Sequence, residues 1–379
     1  MSGNAGMRAI HHDGYDGFLR SEPAWRALAA QLEVPQFFHA YDWYAAFFAH
    51  LKPAEEPIGV IALQEGERCV GLLPYHLRRI RAAGVPAWVL SLPDSPHLIV
   101  SDLLLAPDLR ARAAWCALRR CLARTQLPWH ALRLGPVRED SNAMRFASGL
   151  GRAALIRPRG GSRYFDATED YPALSARFAG TLRKNVRKGQ RRLEQHGPVE
   201  FLHIAPGDAR LPWAFEQFLA LEASGWKGER GARSAIALSD GVRSFYRDLT
   251  SAPPGSFAAE IRLLCVAGVP IAGQFATVCG ATRSVHKIAY DESFEHASPG
   301  TVLMAHTLEH TCQDPSLTTL SLVTDMPWMR DWAAARAAVY DVWVPRNRAL
   351  GALARAALQV RQWLRPVPPA ADPRRSSSA

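Results

Sequence analysis

Lysine is scarce in this sequence: only five of its 45 basic residues are lysines. That bias reads mainly as a coding preference, although guanidinium groups also suit bidentate phosphate contacts. Paired cysteines are missing too. Cys69, Cys116, Cys121, Cys265, Cys279 and Cys312 form no Cys-x-x-Cys pair and fall in apolar segments. That spacing argues against a zinc ribbon and a disulfide scaffold. No apolar run approaches the ~18 residues of a membrane-crossing helix. The richest stretch, 85–105, is interrupted by Pro86, Pro93, Asp94, Pro96 and Asp102. Residues 1–16 lack the apolar region of a secretion signal, so a cytoplasmic protein is expected. There is no Gly-x-Ser-x-Gly, no Walker loop and no Gly-x-Gly-x-x-Gly after a strand, which disfavours serine hydrolases and nucleotide hydrolysis.

What is present is a folding composition. The 379 residues are 48% hydrophobic and include 35 aromatics, which excludes disorder over the whole length. Length alone suggests two or three domains. The formal charge of +10 is local. Residues 171–193 hold seven basic residues and no acid, and residues 346–379 hold seven arginines against Asp372. These stretches carry +7 and +6, so the remainder is −3.

The alternation of apolar residues predicts a mixed α/β chain with largely antiparallel sheets and flanking helices. In the first ~160 residues, helices are expected over Ser21–Ala30, Ala40–Leu51 and Leu109–Thr125. Strands are expected over Pro57–Gln64 and Arg68–Arg78, joined at Glu65-Gly66-Glu67, and over Ala87–Leu92, Leu103–Leu105 and Ala131–Leu134. A second block, 161–345, opens with one long basic helix over Tyr171–Gln195, stopped by His196-Gly197-Pro198. It continues with strand Val199–Ile204, helices Pro212–Ala223 and Asp240–Thr250, and three strands, Ile261–Val266, Ile271–Cys279 and Arg283–Tyr290. Helix Pro299–Cys312 and strands Leu317–Val323 and Val339–Val344 complete it. Residues 346–379 read as a basic amphipathic helix over Leu350–Leu364, a packing element or a peripheral membrane contact, and then a disordered tail. The first block loosely repeats the plan of the second.

Several segments resemble a known family. They are Phe37-Phe38-His39-Ala40-Tyr41-Asp42-Trp43, Gly71-Leu72-Leu73-Pro74-Tyr75 and Ser101-Asp102-Leu103-Leu104 in the first block. In the second block they are Leu182-Arg183-Lys184-Asn185, Leu221 to Lys227 with Trp226, Tyr290-Asp291-Glu292-Ser293-Phe294 and Ser298-Pro299-Gly300-Thr301. Together these resemble the CelD/BcsL-type proteins of the GNAT superfamily over roughly residues 20–345. Glu222, Thr324 and Met329 stand where that family tends to carry His, Gly and Lys. The resemblance implies two tandem GNAT-like domains, 1–160 and 161–345, as in FemAB-type transferases. It also implies an acyltransferase linked to cellulose or exopolysaccharide production.

Candidate site residues follow. Ser298-Pro299-Gly300-Thr301 opens a helix, whose N–H groups and dipole suit a phosphate. The resemblance places the pyrophosphate of acetyl-CoA or another acyl-CoA there; the charge of the basic helix makes Arg183 and Lys184 candidate contacts for such phosphates, with a plain solvated face as the alternative, and no metal is expected. Asp291 and Asp325 sit at strand ends, where a base for acyl transfer or a plain turn carboxylate both belong. Trp226, Lys227 and Glu222 are candidates for the acceptor, since an exposed Trp stacks on sugars, although a Trp that anchors its loop is equally expected there. The acceptor is expected to be a small molecule or glycan precursor. The basic helix has no aromatics between Phe178 and Phe201. Nucleic acid is therefore disfavoured, except as transfer RNA in a FemAB-like alternative. A catalytically silent accessory protein is the third reading. His306-Thr307-Leu308-Glu309-His310 matches an inverzincin pattern, but no downstream Glu completes it.

Overall fold

The computed structural model describes residues 6–82, 85–253, 255–347 and 349–352. Of the expected helix Leu350–Leu364 only the start, up to residue 352, is described, and it is helical; the rest and the tail beyond it lie outside the described residues. The first half runs β1 (Arg8–Asp13), α1 (Gly14–Arg20), α2 (Glu22–Ala29), α3 (Tyr41–His50), β2 (Ile58–Glu65), β3 (Arg68–Ala82), β4 (Val85–Ser91), β5 (Leu104–Leu105), α4 (Ala111–Leu122), β6 (Ala131–Arg138), α5 (Asn142–Leu150) and β7 (Leu155–Asp166). The second half runs α6 (Tyr171–Ala176), α7 (Gly180–Glu194), β8 (Val199–Ile204), α8 (Leu211–Ser224), α9 (Asp240–Thr250), β9 (Ala258–Val266), β10 (Val269–Cys279), β11 (Thr282–Tyr290), α10 (Pro299–Gln313), β12 (Thr319–Ser321) and β13 (Ala335–Pro345). Each half therefore repeats strand, helices, three antiparallel strands, helix, strand. This is a mixed α/β fold built twice on one plan.

All strands join one sheet in the order β1-β2-β3-β4-β6-β13-β7-β12-β11-β10-β9-β8, with β5 paired to β3. The centre shows an exchange. β7, which ends the first half, pairs with β12 of the second, and β13, which ends the second, pairs with β6 of the first. The boundary drawn at 160/161 therefore falls inside a strand. Pro158, Gly160 and Gly161 make β7 read poorly as a strand. A Cβ on Gly161 would meet the Arg336 guanidinium of β13, which lies against this glycine.

The main core spans both halves. Trp43 on α3 is fully buried and meets Phe245 on α9 at 5.6 Å and Phe257 at 5.8 Å. Burying each such ring contributes roughly 1.5–3 kcal/mol. The long helix expected over Tyr171–Gln195 is broken into α6 and α7. Phe178 turns inward against Trp332, 5.3 Å away, and the Ala179 N–H donates to the Asp331 carbonyl at 2.9 Å. That tertiary contact outweighs the helical periodicity. No helix among the described residues is long and apolar enough to cross a membrane, and all six cysteines are free.

Candidate functional site

The site begins with two strands that part. β11 and β12 run parallel for three pairs, Thr282↔Thr319, Arg283↔Leu320 and Ser284↔Ser321. Beyond Ser284, β11 continues to Tyr290 paired with β10 alone, while the chain leaves β12 through Leu322–Thr324. A wedge opens between them. On its β11 wall the register with β10 jumps from Phe275↔Lys287 to Ala276↔Val285, so His286 has no opposite residue. This bulge turns two consecutive side chains to one face, as bulges beside functional sites do. Val285 and Ile288 pack toward α10 with Met304 and Leu308. His286 instead meets Phe37 at 4.5 Å and Trp43 at 5.2 Å, and the Lys287 ammonium lies 6.0 Å over the Tyr246 ring.

Both residues line a cleft of about 480 Å³ between the halves, shared with Arg78, Asp94, Ser95, Pro96, Ile99, Arg159 and Thr324. His286 Nε2 bonds the Thr277 hydroxyl at 2.8 Å, while its Nδ1 is buried without a partner. Burial, reinforced by the Lys287 charge, pushes its pKa down to about 3, so the ring is neutral at physiological pH. Burial likewise lowers the Lys287 pKa. Two turns at the rim are strained. Val100 N–H donates to the Leu98 carbonyl at 2.7 Å around Ile99 at φ 64°, and Thr324 N–H donates to Leu322 at 2.5 Å around Val323 at φ 50°. β-branched residues rarely adopt positive φ, and such strain gathers at functional sites.

The start of α10 borders the same strand. Ser298 is left-handed and no side chain caps the helix. Pro299 has no N–H, and the N–H groups of Thr301 and Val302 turn back to the Ser298 carbonyl at 3.0 and 3.1 Å. Gly300 is thus the turn's uncommitted donor position, and it faces Tyr290 and Ile288. These residues lie two to four positions beyond His286, roughly 7–13 Å along an extended strand. The helix α7 covers the other side: Gly189 abuts the Ala297 carbonyl, and Arg192 donates to the carbonyl of His296. Arg183 and Lys184 are not brought to the turn. Leu182 packs near Leu308, whereas Leu193 packs near Val302, so Arg183 stands roughly 13 Å further along α7 than Arg192.

The carboxylates expected at strand ends are both engaged. Asp291 accepts the Ser293 N–H at 2.9 Å, capping the short turn 292–297. Asp325 is bridged by Arg163 Nε at 2.6 Å and Arg336 Nε at 2.7 Å, which hold its carboxyl below the usual range. Glu222 is buried, accepting from Lys227 Nζ at 3.0 Å and from the Ile236 N–H at 2.9 Å. Lys227 also donates to the Ile288 carbonyl at 3.0 Å, so this pair braces its loop against β11. Trp226 is 58% exposed beside it.

His286, Lys287, Arg78, Asp94 and Arg159 were not singled out from the sequence. The one available signal was the adjacent pair His286-Lys287 inside an apolar strand, which breaks strict alternation. Also unforeseen is a buried network beneath α10. Arg283 donates to Glu260 at 2.7 Å and to Thr311 at 2.6 Å, and Thr307 donates to Gln274 at 2.8 Å. It seats α10 on the sheet. Burial would raise the Glu260 pKa, but the His203 hydrogen bond and the two arginines hold it at about 2. His306 is stacked flat on Phe201 at 3.8 Å, and no group of three or more metal-ligating side chains converges among the described residues.

Residues 180–341, which contain this wedge, match the acetyltransferase (GNAT) domain family. Among solved structures, the chain is similar to FemX, with a TM-score of 0.59 and 11% identity over 88% of this chain and 98% of that one. It is also similar to the C-terminal domain of a putative lysylphosphatidylglycerol synthetase from Agrobacterium fabrum, with a TM-score of 0.55 and 10% identity over 90% and 97%. A conserved protein of unknown function from Bacteroides thetaiotaomicron gives a TM-score of 0.52 and 13% identity over 86% and 97%. At these identities the likeness is one of fold. No curated protein matches the sequence.

Proposed function

We propose that the chain transfers an acyl group from an acyl-CoA thioester to an amine or hydroxyl acceptor in the cleft between its halves. One observation carries this reading: β11 leaves β12 after Ser284, and its free stretch runs from a bulge at His286 to an uncapped helix start at Gly300, within the segment that matches the GNAT family. The residues fit a diphosphate at the α10 start, where the helix dipole and the Gly300 N–H favour an anion. The thioester supplies an activated carbonyl. In the transfer, the acceptor atom bonds to that carbonyl carbon, the C–S bond breaks, and the acceptor's proton must be taken up. Asp291 and Asp325 are already committed to a cap and to two guanidiniums. His286 is neutral and unpaired at Nδ1. In the tautomer that donates from Nε2 to Thr277, Nδ1 carries the free lone pair; burial makes it a weak base, so it takes the proton only once the acceptor atom has bonded to the carbonyl carbon and become strongly acidic.

The exposed Trp226 supports an acceptor with a sugar ring, such as a polysaccharide precursor in a cytoplasmic CelD/BcsL-type pathway. The alternative is a FemAB-like transfer from aminoacyl-tRNA. It is supported by the likeness to FemX and by Arg183, Lys184, Arg187, Lys188 and Arg191, exposed on α7 with no ion pair among the described residues.

Calorimetric titration with acetyl-CoA tests the donor. Thr301→Glu places a carboxylate in the first turn of α10, where it stabilises the helix but occupies the anion position. We expect acetyl-CoA affinity to fall at least about tenfold in Thr301→Glu, which corresponds to roughly 1.4 kcal/mol, and to change little in Thr301→Gln. Equal affinity in both variants, or no binding by the unaltered protein, defeats the reading.

A further inference from the structure

The cleft is charged asymmetrically. Arg78, Arg159 and Lys287 line it against a single carboxylate, Asp94. That carboxylate is already taken, because Arg133 donates to it at 2.8 Å from a largely buried position and to Asp341 at 2.6 Å. Arg159 shares Asp341 at 3.2 Å and reaches Asp94 at only 3.8 Å. Arg78 stands 4.0 Å from Asp94 and 3.3 Å from Glu56. Lys287 makes no ion pair within 4.0 Å among the described residues; Glu222, itself paired with Lys227, acts on it only at longer range, and its ammonium faces an aromatic ring. Three guanidiniums therefore divide Asp94, Asp341 and Glu56 among them, and the ammonium opposite has only the longer-range Glu222, which Lys227 already holds. The side chains of Arg78 and Arg159 are 38% and 42% exposed, and both line the cleft.

A second cavity of about 270 Å³ shares Arg78 and Asp94 with the first and is also lined by Arg133 and Trp343. Arg78 thus stands where the two meet. Guanidinium forks at such a junction match a carboxylate or phosphate in geometry and charge.

We infer that this junction is an anion site: the acceptor bears a carboxylate or a phosphate, held by Arg78 and Arg159 of the first half and faced by Lys287 of the second. Calling the ligand an acceptor rests on the acyl-transfer reading; the anion site does not. In that setting the first half selects the acceptor and the second holds the donor, which explains why the cleft is built from both.

The test needs no donor. Inorganic phosphate and acetate, each compared with chloride at equal ionic strength, are titrated while thermal unfolding is followed. The unaltered protein is expected to be stabilised by at least one of the two, and the stronger marks the anion class. Arg78→Gln with Arg159→Gln is expected to weaken that anion about tenfold or more. Arg159→Gln alone, at an exposed position, serves if the double variant unfolds. Arg183→Gln with Lys184→Gln is expected to leave the effect intact, which separates the cleft from the surface of α7. No stabilisation beyond chloride by either anion, or stabilisation unchanged in the cleft variants, overturns the proposal. Failure of acetyl-CoA to bind would instead defeat the transferase reading and leave the anion site standing.

Discussion

Both halves contain a parallel strand pair that parts after three residues, and they treat the gap differently. In the first half β4 and β6 pair at Val89↔Ala131, Leu90↔Leu132 and Ser91↔Arg133. The chain after β4 then fills the opening. Leu92 N–H donates to the Arg133 carbonyl and Ser101 N–H to the Pro136 carbonyl, each at 2.9 Å. Asp102 follows, fully buried, with Leu103 and Ala143 N–H groups on one oxygen at 2.8 Å and Asn142 N–H and His39 on the other at 2.8 and 3.0 Å. In the second half no backbone hydrogen bond among the described residues crosses from 285–290 to 322–326. Its buried titratable group, His286, keeps an unpaired nitrogen. One wedge has been converted into structure and the other left open, and the GNAT match falls on the open one. A duplicated fold can thus divide its labour, because a satisfied buried polar group stabilises while an unsatisfied one is available for chemistry.

The comparison can be broken most forcefully at His286. His286→Gln keeps a partner for Thr277 but removes the proton acceptor, so kcat should fall about 100-fold or more. Acetyl-CoA affinity and melting temperature should stay near their original values. A variant that melts early but turns over normally per folded molecule would show that the open wedge is structural as well. Asp102→Ala is the mirror experiment. It removes a buried carboxylate with four hydrogen bonds, two of them from the first N–H groups of α5, and should cost roughly 3 kcal/mol in denaturant unfolding. The activity per folded molecule should be unchanged. The last effect concerns pH. Burial holds His286 near 3 and His97, His306 and His310 near 4, against 6.5 in the unfolded chain. Between about pH 4 and 6.5 the unfolded state binds more protons, so stability rises with pH across that window. Melting temperatures taken from pH 7 down to 4 should fall, and less steeply in His286→Gln.

Some of this was legible in the residues. The hairpin at Gly66, the helices α3, α4, α8 and α9, and the three strands β9 to β11 follow from alternation and helical periodicity. The turn at Ser298-Pro299 was legible because Pro suits the first helical turn. Other features were not. β1, α1, α5 and β7 went unread, and β7 in particular owes its strand state to neighbours on both sides rather than to its own Pro158, Gly160 and Gly161. The expectation that Arg183 and Lys184 attend the helix start failed to account for the direction in which α7 crosses α10. Asp325 looked free in sequence because its partners, Arg163 and Arg336, lie on β7 and β13.

By itself the sequence determined the local elements and their duplicated order, since these depend on side-chain periodicity and on proline and glycine within a few residues. Only the tertiary structure decided which wedge stays open, which consecutive residues share a face, and which carboxylates remain free. Those outcomes depend on strand register and on charges brought together from 39 to 208 residues apart, distances over which no sequence pattern carries information.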